Sequence, residues 1–380
     1  MRLAAGLRCA AVPPTSSVPR ELTTAVLHFQ PPAPPPPTLQ ALAAAWPLPA
    51  EGVRATSSLA PEGPRPRGAG AVGPRGLLLG GDPQAREVAL LNGRDLNCSL
   101  DRHGFGLWTH RLRESWDFSS ASGIEGPYYA DCEELLRRAA GASLATAFEH
   151  RLLRLDPPRS GAEGPACGAV TDSEAAELAS AEEEAAARLA DRCAHNDYTL
   201  ATAPARVELL AQPPPDQGTF HARDKHGPRV DPLQVDDLLK GRWGFYSVWR
   251  SIGRRPLEHF PLAFCDATTM RLRDLEIVEV QHPDRIGERY LARYSPSNRW
   301  CCFPDVSRDE ALLQKGWDSR GRDFLEPRVR LASLGQEVRE ELSVPATFSL
   351  CSFFGDLVDT PTLSPEEQGL VEVRLVAFFE

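Results

Sequence analysis

The chain has 380 residues, a formal net charge of -10 and 42% hydrophobic residues. That length suits one large domain or two modest ones, and that apolar share fills a sizeable core, which excludes wholesale disorder. An acidic surface repels phosphate backbones, so no nucleic-acid partner is expected, and no apolar run approaches the length that crosses a bilayer, so no membrane partner is expected either.

Residues 1–20 hold Arg2, Arg8 and Arg20 with no acid before Glu21. They read as a disordered tail whose composition resembles a weak transit peptide; the continuous apolar stretch of a secretory signal is missing. Leu22 to Phe29 reads as a short strand. From Gln30 to about Gly81 the chain is rich in Pro, Ala and Gly, including Pro34-Pro35-Pro36-Pro37. Such a stretch resists helix and sheet and reads as an exposed insertion or linker. The organisation expected is a tail over 1–20, a strand plus insertion over 21–84, and an ordered domain over 85–380.

Within that domain three helices are expected from their caps. Asp131 with Glu134 starts one that stops at Gly141. Thr171 with Glu174 is a capping-box pattern opening an Ala/Glu-rich helix to about Arg192, whose Glu182-Glu183-Glu184 is a solvated face. Ser307 with Glu310 starts the third, with Ala311, Leu312 and Leu313 on its apolar side. Strands are expected over Trp243–Trp249, Tyr290–Tyr294, Arg299–Phe303 and Val371–Phe379, all rich in aromatic or β-branched residues. In the last, Val371, Val373, Leu375, Ala377 and Phe379 share one face, and Glu372, Arg374, Val376 and Phe378 the other. The picture is a β-rich α+β fold, a sheet core with flanking helices.

The nine cysteines are scattered, odd in number and without a C-x-x-C pair. This argues against a disulfide framework or a zinc cluster and fits a reducing, cytoplasmic compartment. Cys301-Cys302 reads as strand packing. His221, Asp224 and His226 come after Pro213-Pro214-Pro215 and read as a solvated polar loop.

The triplet His195-Asn196-Asp197 comes after the Ala-rich helix and leads into Tyr198-Thr199-Leu200. On a strand, positions i and i+2 point the same way, so His195 and Asp197 can aim an imidazole and a carboxylate at one point. A third, distant ligand would complete a facial triad with open positions on Fe(II). The pattern alone recurs by chance in many chains.

Its surroundings carry a resemblance. Ala194-His195-Asn196-Asp197-Tyr198-Thr199, Tyr246-Ser247-Val248-Trp249-Arg250 and Pro261-Leu262-Ala263-Phe264-Cys265-Asp266 are three of the stretches. Further along stand His282-Pro283-Asp284-Arg285-Ile286-Gly287-Glu288, Arg299-Trp300-Cys301-Cys302-Phe303-Pro304, Asp309-Glu310-Ala311-Leu312-Leu313-Gln314-Lys315 and Val371-Glu372-Val373-Arg374. Together they resemble the fungal and bacterial hydroxylase/desaturase family typified by the aspergillic-acid enzyme AsaB, with gibberellin-desaturase-like and CmcJ-like proteins. The resemblance covers roughly residues 85–380.

It implies a double-stranded β-helix (jelly-roll) core and Fe(II)- and 2-oxoglutarate-dependent oxidation, with dioxygen, of a small molecule, a secondary metabolite by class. By the same resemblance His195 and Asp197 are iron ligands and Arg374 pairs with the distal carboxylate of 2-oxoglutarate, for which a planar guanidinium is suited. Without it, Arg374 reads as a strand-end salt bridge. Trp249 and Arg250 are candidates for lining the substrate pocket, and Trp249 reads equally as a core aromatic.

The chain departs from the family at the third ligand, a His some twenty residues before the Arg. The matching stretch is Cys351-Ser352-Phe353-Phe354-Gly355-Asp356, and no His occurs after His282. Three expectations stay open: Cys351 ligates iron as a thiolate, two protein ligands suffice, or the site is inactive and the chain is a ligand- or partner-binding relative.

Overall fold

The computed structural model describes residues 21–29, 71–72, 78–79, 84–113, 116–118, 120–155, 193–213, 227–259, 262–271, 274–281, 286–321, 348–353, 357–359 and 369–380. The expected helix over 171–192, the polar loop of His221, Asp224 and His226, and most of the Pro-rich insertion lie outside these residues.

In chain order the strands begin with β1 (Glu21–Phe29), β2 (Ala71–Val72), β3 (Leu78–Leu79), β4 (Gln84–Asn92), β5 (Phe105–Thr109) and β6 (Leu144–Leu155). They continue with β7 (His195–Asn196), β8 (Arg242–Ser251), β9 (Leu257–His259), β10 (Leu262–Cys265), β11 (Leu275–Gln281) and β12 (Ile286–Ala292). The last are β13 (Trp300–Cys302), β14 (Pro304–Val306), β15 (Glu310–Asp318), β16 (Cys351–Phe353), β17 (Leu357–Asp359) and β18 (Gly369–Phe379). Among the described residues, the α-helices of more than one turn are α1 (Tyr129–Ala140) and α2 (Thr202–Leu210).

One sheet has six strands in the order β17-β6-β18-β8-β15-β5, and a second has ten in the order β1-β4-β13-β10-β16-β7-β12-β11-β2-β3. Their side chains interdigitate. Phe245, Val376 and Phe378 from the first pack with Cys265, Tyr290 and Trp300 from the second. Leu312, Leu370 and Trp249 pack likewise with Leu262, Phe264 and Cys351. The alternation expected for β18 is present. Val371, Val373, Leu375 and Ala377 face a separate cluster on the outer side, which α1 covers with Tyr129, Cys132, Leu135 and Leu136. Leu370, Val376 and Phe378 face inward.

Two cap expectations need correction. Helix α1 starts at Tyr129, so Asp131 lies inside its first turn rather than at its cap; Gly141 does end it, at φ 73°. The segment from Ser307 is a turn leading into β15, not a helix. Glu310 does bond back to Ser307, its Oε2 accepting from the backbone N at 3.0 Å and from Oγ at 3.2 Å. Those bonds close a turn in either context. The next residues decide for a strand: Ala311 and Leu313 pack outward and Leu312 inward, a period of two.

The outer face also holds a buried polar knot. Arg250 is fully enclosed and donates from Nη1 to the Arg308 carbonyl at 3.1 Å and from Nη2 to His110 Nδ1 at 2.7 Å. Burial, then the charge of Arg250, lowers the His110 pKa from 6.5 to about 4. An unfolded chain therefore takes up this proton first as pH falls. His110 supports the fold fully above its unfolded pKa, and the support drains away between about pH 6.5 and about pH 4. With His110 partly solvent-screened, we expect a loss of about 1–2 kcal/mol over that window relative to His110→Gln. Urea unfolding of both proteins across the window measures it; parallel curves would refute the assignment.

Candidate active site

Strand β7 lies between β16 and β12, with Cys351 paired to His195 on one side and Leu291 on the other. His195 Nδ1 lies 2.7 Å from the Cys193 carbonyl. A carbonyl only accepts, so Nδ1 carries the proton and Nε2 keeps its lone pair. At the end of β7, Asn196 Nδ2 donates to the Tyr198 carbonyl at 2.6 Å, closing a turn that presents Asp197. Tyr198 stacks on Phe245, centroids 4.2 Å apart. Gly316 permits this, because a Cβ there would stand 3.1 Å from the Tyr198 ring. Beyond the turn, Thr199 Oγ1 donates to Glu288 at 2.7 Å and leads into α2.

These elements meet the inner face of the six-stranded sheet around a small, partly open cavity. His195, Asp197 and Cys351 line it from one side, and Ser247, Trp249, Gln314, Glu372 and Arg374 from the other. The expected residues His195, Asp197, Cys351, Arg374 and Trp249 are thus gathered at one pocket. Arg250 is not. It adjoins Trp249 on β8, and neighbours on a strand point to opposite faces, so it belongs to the outer knot.

The charges inside are tightly engaged. Arg374 Nη2 sits 2.8 Å from Asp197 Oδ2, and its Nε donates to Glu372 Oε1 at 3.1 Å. Its Nη1 lies 3.6 Å from Glu149. Arg289 Nε stands 2.9 Å from Asp197 Oδ1, and His195 Nε2 3.8 Å from the same oxygen. Burial alone would raise the Asp197 pKa; Arg374 and Arg289, with further help from Arg151, outweigh it and hold the carboxyl ionised far below the usual range. Burial pushes the Cys351 thiol up to about 12, helped by Asp197. Burial also raises the Glu372 carboxyl.

A divalent metal fits this donor set in two of its three positions. His195 Nε2 faces Asp197 Oδ1, and no donor among the described residues reaches that oxygen in hydrogen-bond geometry. The third position is less prepared. Cys351 is a protonated thiol, and no three His, Cys, Asp or Glu side chains among the described residues are grouped at coordination distance. The participants not foreseen include Glu372, Ser247, Gln314 and Arg289, with Glu149 and Arg151 beside them. Glu372 and Ser247 were legible in principle, since each lies two residues from a foreseen one, Arg374 and Trp249, on the same strand face. Gln314 ties the pocket wall together, accepting from Trp249 Nε1 at 3.3 Å and donating to the Ser349 carbonyl at 3.0 Å.

The two-sheet fold that holds this pocket has solved counterparts. The iron and alpha-ketoglutarate-dependent endoperoxidase NvfI matches with a TM-score of 0.55 over 95% of this chain and 99% of that one, at 17% identity. The family model described as "Oxidoreductase/YMDC permease-like domain" matches residues 79–332, and the chain belongs to that family. Among curated relatives, the hydroxylase/desaturase AsaB of Aspergillus flavus is 30% identical over 131 residues, 28% of this chain and 57% of that protein. The hydroxylase/desaturase CTB9 of Cercospora beticola is 26% identical over 260 residues, 62% of this chain and 67% of that one. The alpha-ketoglutarate-dependent dioxygenase tstK of Talaromyces stipitatus is 24% identical over 257 residues, covering 65% and 78%. The resemblance to the hydroxylase/desaturase family thus extends to several of its members, although the match spans little more than half of AsaB.

Proposed function

We propose that the chain is an Fe(II)- and 2-oxoglutarate-dependent oxidoreductase of the hydroxylase/desaturase type. Its substrate would be a small molecule, and its core, within residues 85–380, a double-stranded β-helix. The observation that carries this reading is the convergence of His195, Asp197, Cys351 and Arg374 on one pocket between the sheets. His195 and Asp197 would hold the metal, with Cys351 completing the set if coordination removes its proton. Iron with 2-oxoglutarate and dioxygen supplies an oxidant able to take hydrogen from a C–H bond.

The chain's own groups do the rest. The Cys193 carbonyl fixes the His195 tautomer. Arg374 binds the far carboxylate of the cosubstrate, and Glu372, itself held by Ser247 at 2.8 Å, orients it. Trp249 and Tyr198 shape the space left for substrate. Among the described residues no helix is long and apolar enough to cross a membrane, and the cysteines are free. A cytoplasmic setting agrees with these facts.

Anaerobic addition of Fe(II) and then 2-oxoglutarate is expected to develop a visible charge-transfer band. Absence of the band, together with no retention of 2-oxoglutarate in dialysis, would sink the reading. One observation favours the rival, a non-catalytic ligand-binding relative: Asp197 is already paired with Arg374. Under that rival the band is absent while a small acid is still retained.

A further inference from the structure

We infer that Arg374 competes with a divalent cation for Asp197, so that the cation and a dicarboxylate enter the pocket as an exchanging pair. The inference rests on the reading of His195 and Asp197 as a metal site and adds how that site is regulated.

The geometry sets one carboxylate between rival cations. Asp197 Oδ2 is 2.8 Å from Arg374 Nη2, while Oδ1 faces His195 Nε2 at 3.8 Å and Arg289 Nε at 2.9 Å. Two guanidiniums already stand on this carboxylate. A third positive group bound to Asp197 must therefore be accommodated against two like charges at close range, where the partly buried setting weakens screening. Arg374 is the one able to yield toward the cavity, because it lines it. Yet Arg374 cannot leave Asp197 without a substitute. Its other acids, Glu372 at Nε and Glu149 at 3.6 Å from Nη1, lie along the remaining edges of the guanidinium. The Nη2 freed from Asp197 needs a new anion in the pocket.

A ligand carboxylate is that anion. Alone, it would strip Arg374 from Asp197 and leave the aspartate undercompensated. A cation alone would strip Asp197 from Arg374 and leave the guanidinium undercompensated. Together each repairs what the other disturbs, which is positive coupling between two binding events. This coupling runs through the Asp197–Arg374 pair and does not require the ligand to chelate the metal.

The difference is testable with Mn(II) and glutarate, a dicarboxylate with no 2-oxo group to chelate through. Mn(II) affinity is read by electron paramagnetic resonance of the free ion. In the unaltered chain, saturating glutarate is expected to tighten Mn(II) about fivefold or more. Arg374→Gln without glutarate is expected to bind Mn(II) about tenfold tighter than the unaltered chain, and to show no glutarate effect. Were Arg374 only an anchor for the cosubstrate, its loss would leave Mn(II) affinity unchanged, and that result overturns the inference while the metal site stands. No Mn(II) binding by either protein overturns both. Should Arg374→Gln fail to fold by circular dichroism, Arg374→Lys and the glutarate effect in the unaltered chain decide. A shorter ammonium should relax the pairing and tighten Mn(II), and an absent glutarate effect overturns the inference.

Discussion

Asp197→Asn is expected to lower divalent-metal affinity by more than about 100-fold and to remove the charge-transfer band. Changes to residues that merely orient a ligand cost about 10–100-fold, and this change strikes a ligand itself. The amide keeps the shape of the side chain but loses the anion. It also withdraws the charge that Arg374 and Arg289 share at 2.8 and 2.9 Å. Two guanidiniums then face each other with less compensation, so the fold is expected to lose about 3 kcal/mol as well. The pH dependence separates this from a general packing defect. The Asp197 carboxyl is held below its unfolded value, so its contribution is complete above the unfolded pKa near 4 and is lost as pH falls further. The gap in stability between the two proteins should therefore be constant at neutral pH and should narrow below about pH 4. Urea midpoints at several pH values measure the gap, and a gap that persists unchanged into strong acid would remove the ion-pair account. Metal affinity measured at neutral pH, where both proteins fold, reports the ligand role separately.

How far the sequence carried this picture depends on the range of the signal. Strand β18 was legible because its alternation is local: Val371, Val373, Leu375 and Ala377 on one side, Glu372 and Arg374 on the other. The Ser307–Glu310 pattern misled because its bonds are equally local and suit a turn before a strand as well as a helix. The choice between strand and helix after such a turn is made by packing on both faces of Ala311, Leu312 and Leu313, which no short window reveals. The site divides the same way. Spacing brings His195 and Asp197 together, whereas Cys351 reaches them only through the pairing of β16 with β7, a contact across more than a hundred residues. The Arg374–Asp197 pair is likewise long-range, and family resemblance assigned each residue a ligand in place of the other. Arg250 was misplaced for a simpler reason: it was paired with Trp249 as a neighbour in sequence, although neighbours on a strand face apart.

That misplacement yields a second large effect. Arg250→Met is expected to destabilise the fold by about 3–5 kcal/mol while leaving metal and dicarboxylate affinities unchanged. Arg250 is fully buried, and its guanidinium links the segment that follows β5 to the one that precedes β15. Nη1 donates to the carbonyls of His110 and Arg308, and Nη2 donates to His110 Nδ1 at 2.7 Å. Met fills much of the volume of the stem but offers no donor, so buried acceptors lose their partner, and each such loss costs about 1–3 kcal/mol. The aromatic contact goes too, since the guanidinium carbon lies 5.9 Å from the centre of the Tyr128 ring. Arg250→Lys keeps the charge but has no planar fork to span both carbonyls and the imidazole, so about half the loss is expected. His110 supplies an internal check. Its pKa is held down by burial and then by Arg250, so removing the guanidinium should move its titration upward toward the ordinary value. If Arg250 instead lined the substrate pocket, Arg250→Met would leave the urea midpoint near that of the unaltered chain and weaken ligand retention. The two outcomes are opposite in both measurements, and unfolding curves paired with equilibrium dialysis separate them.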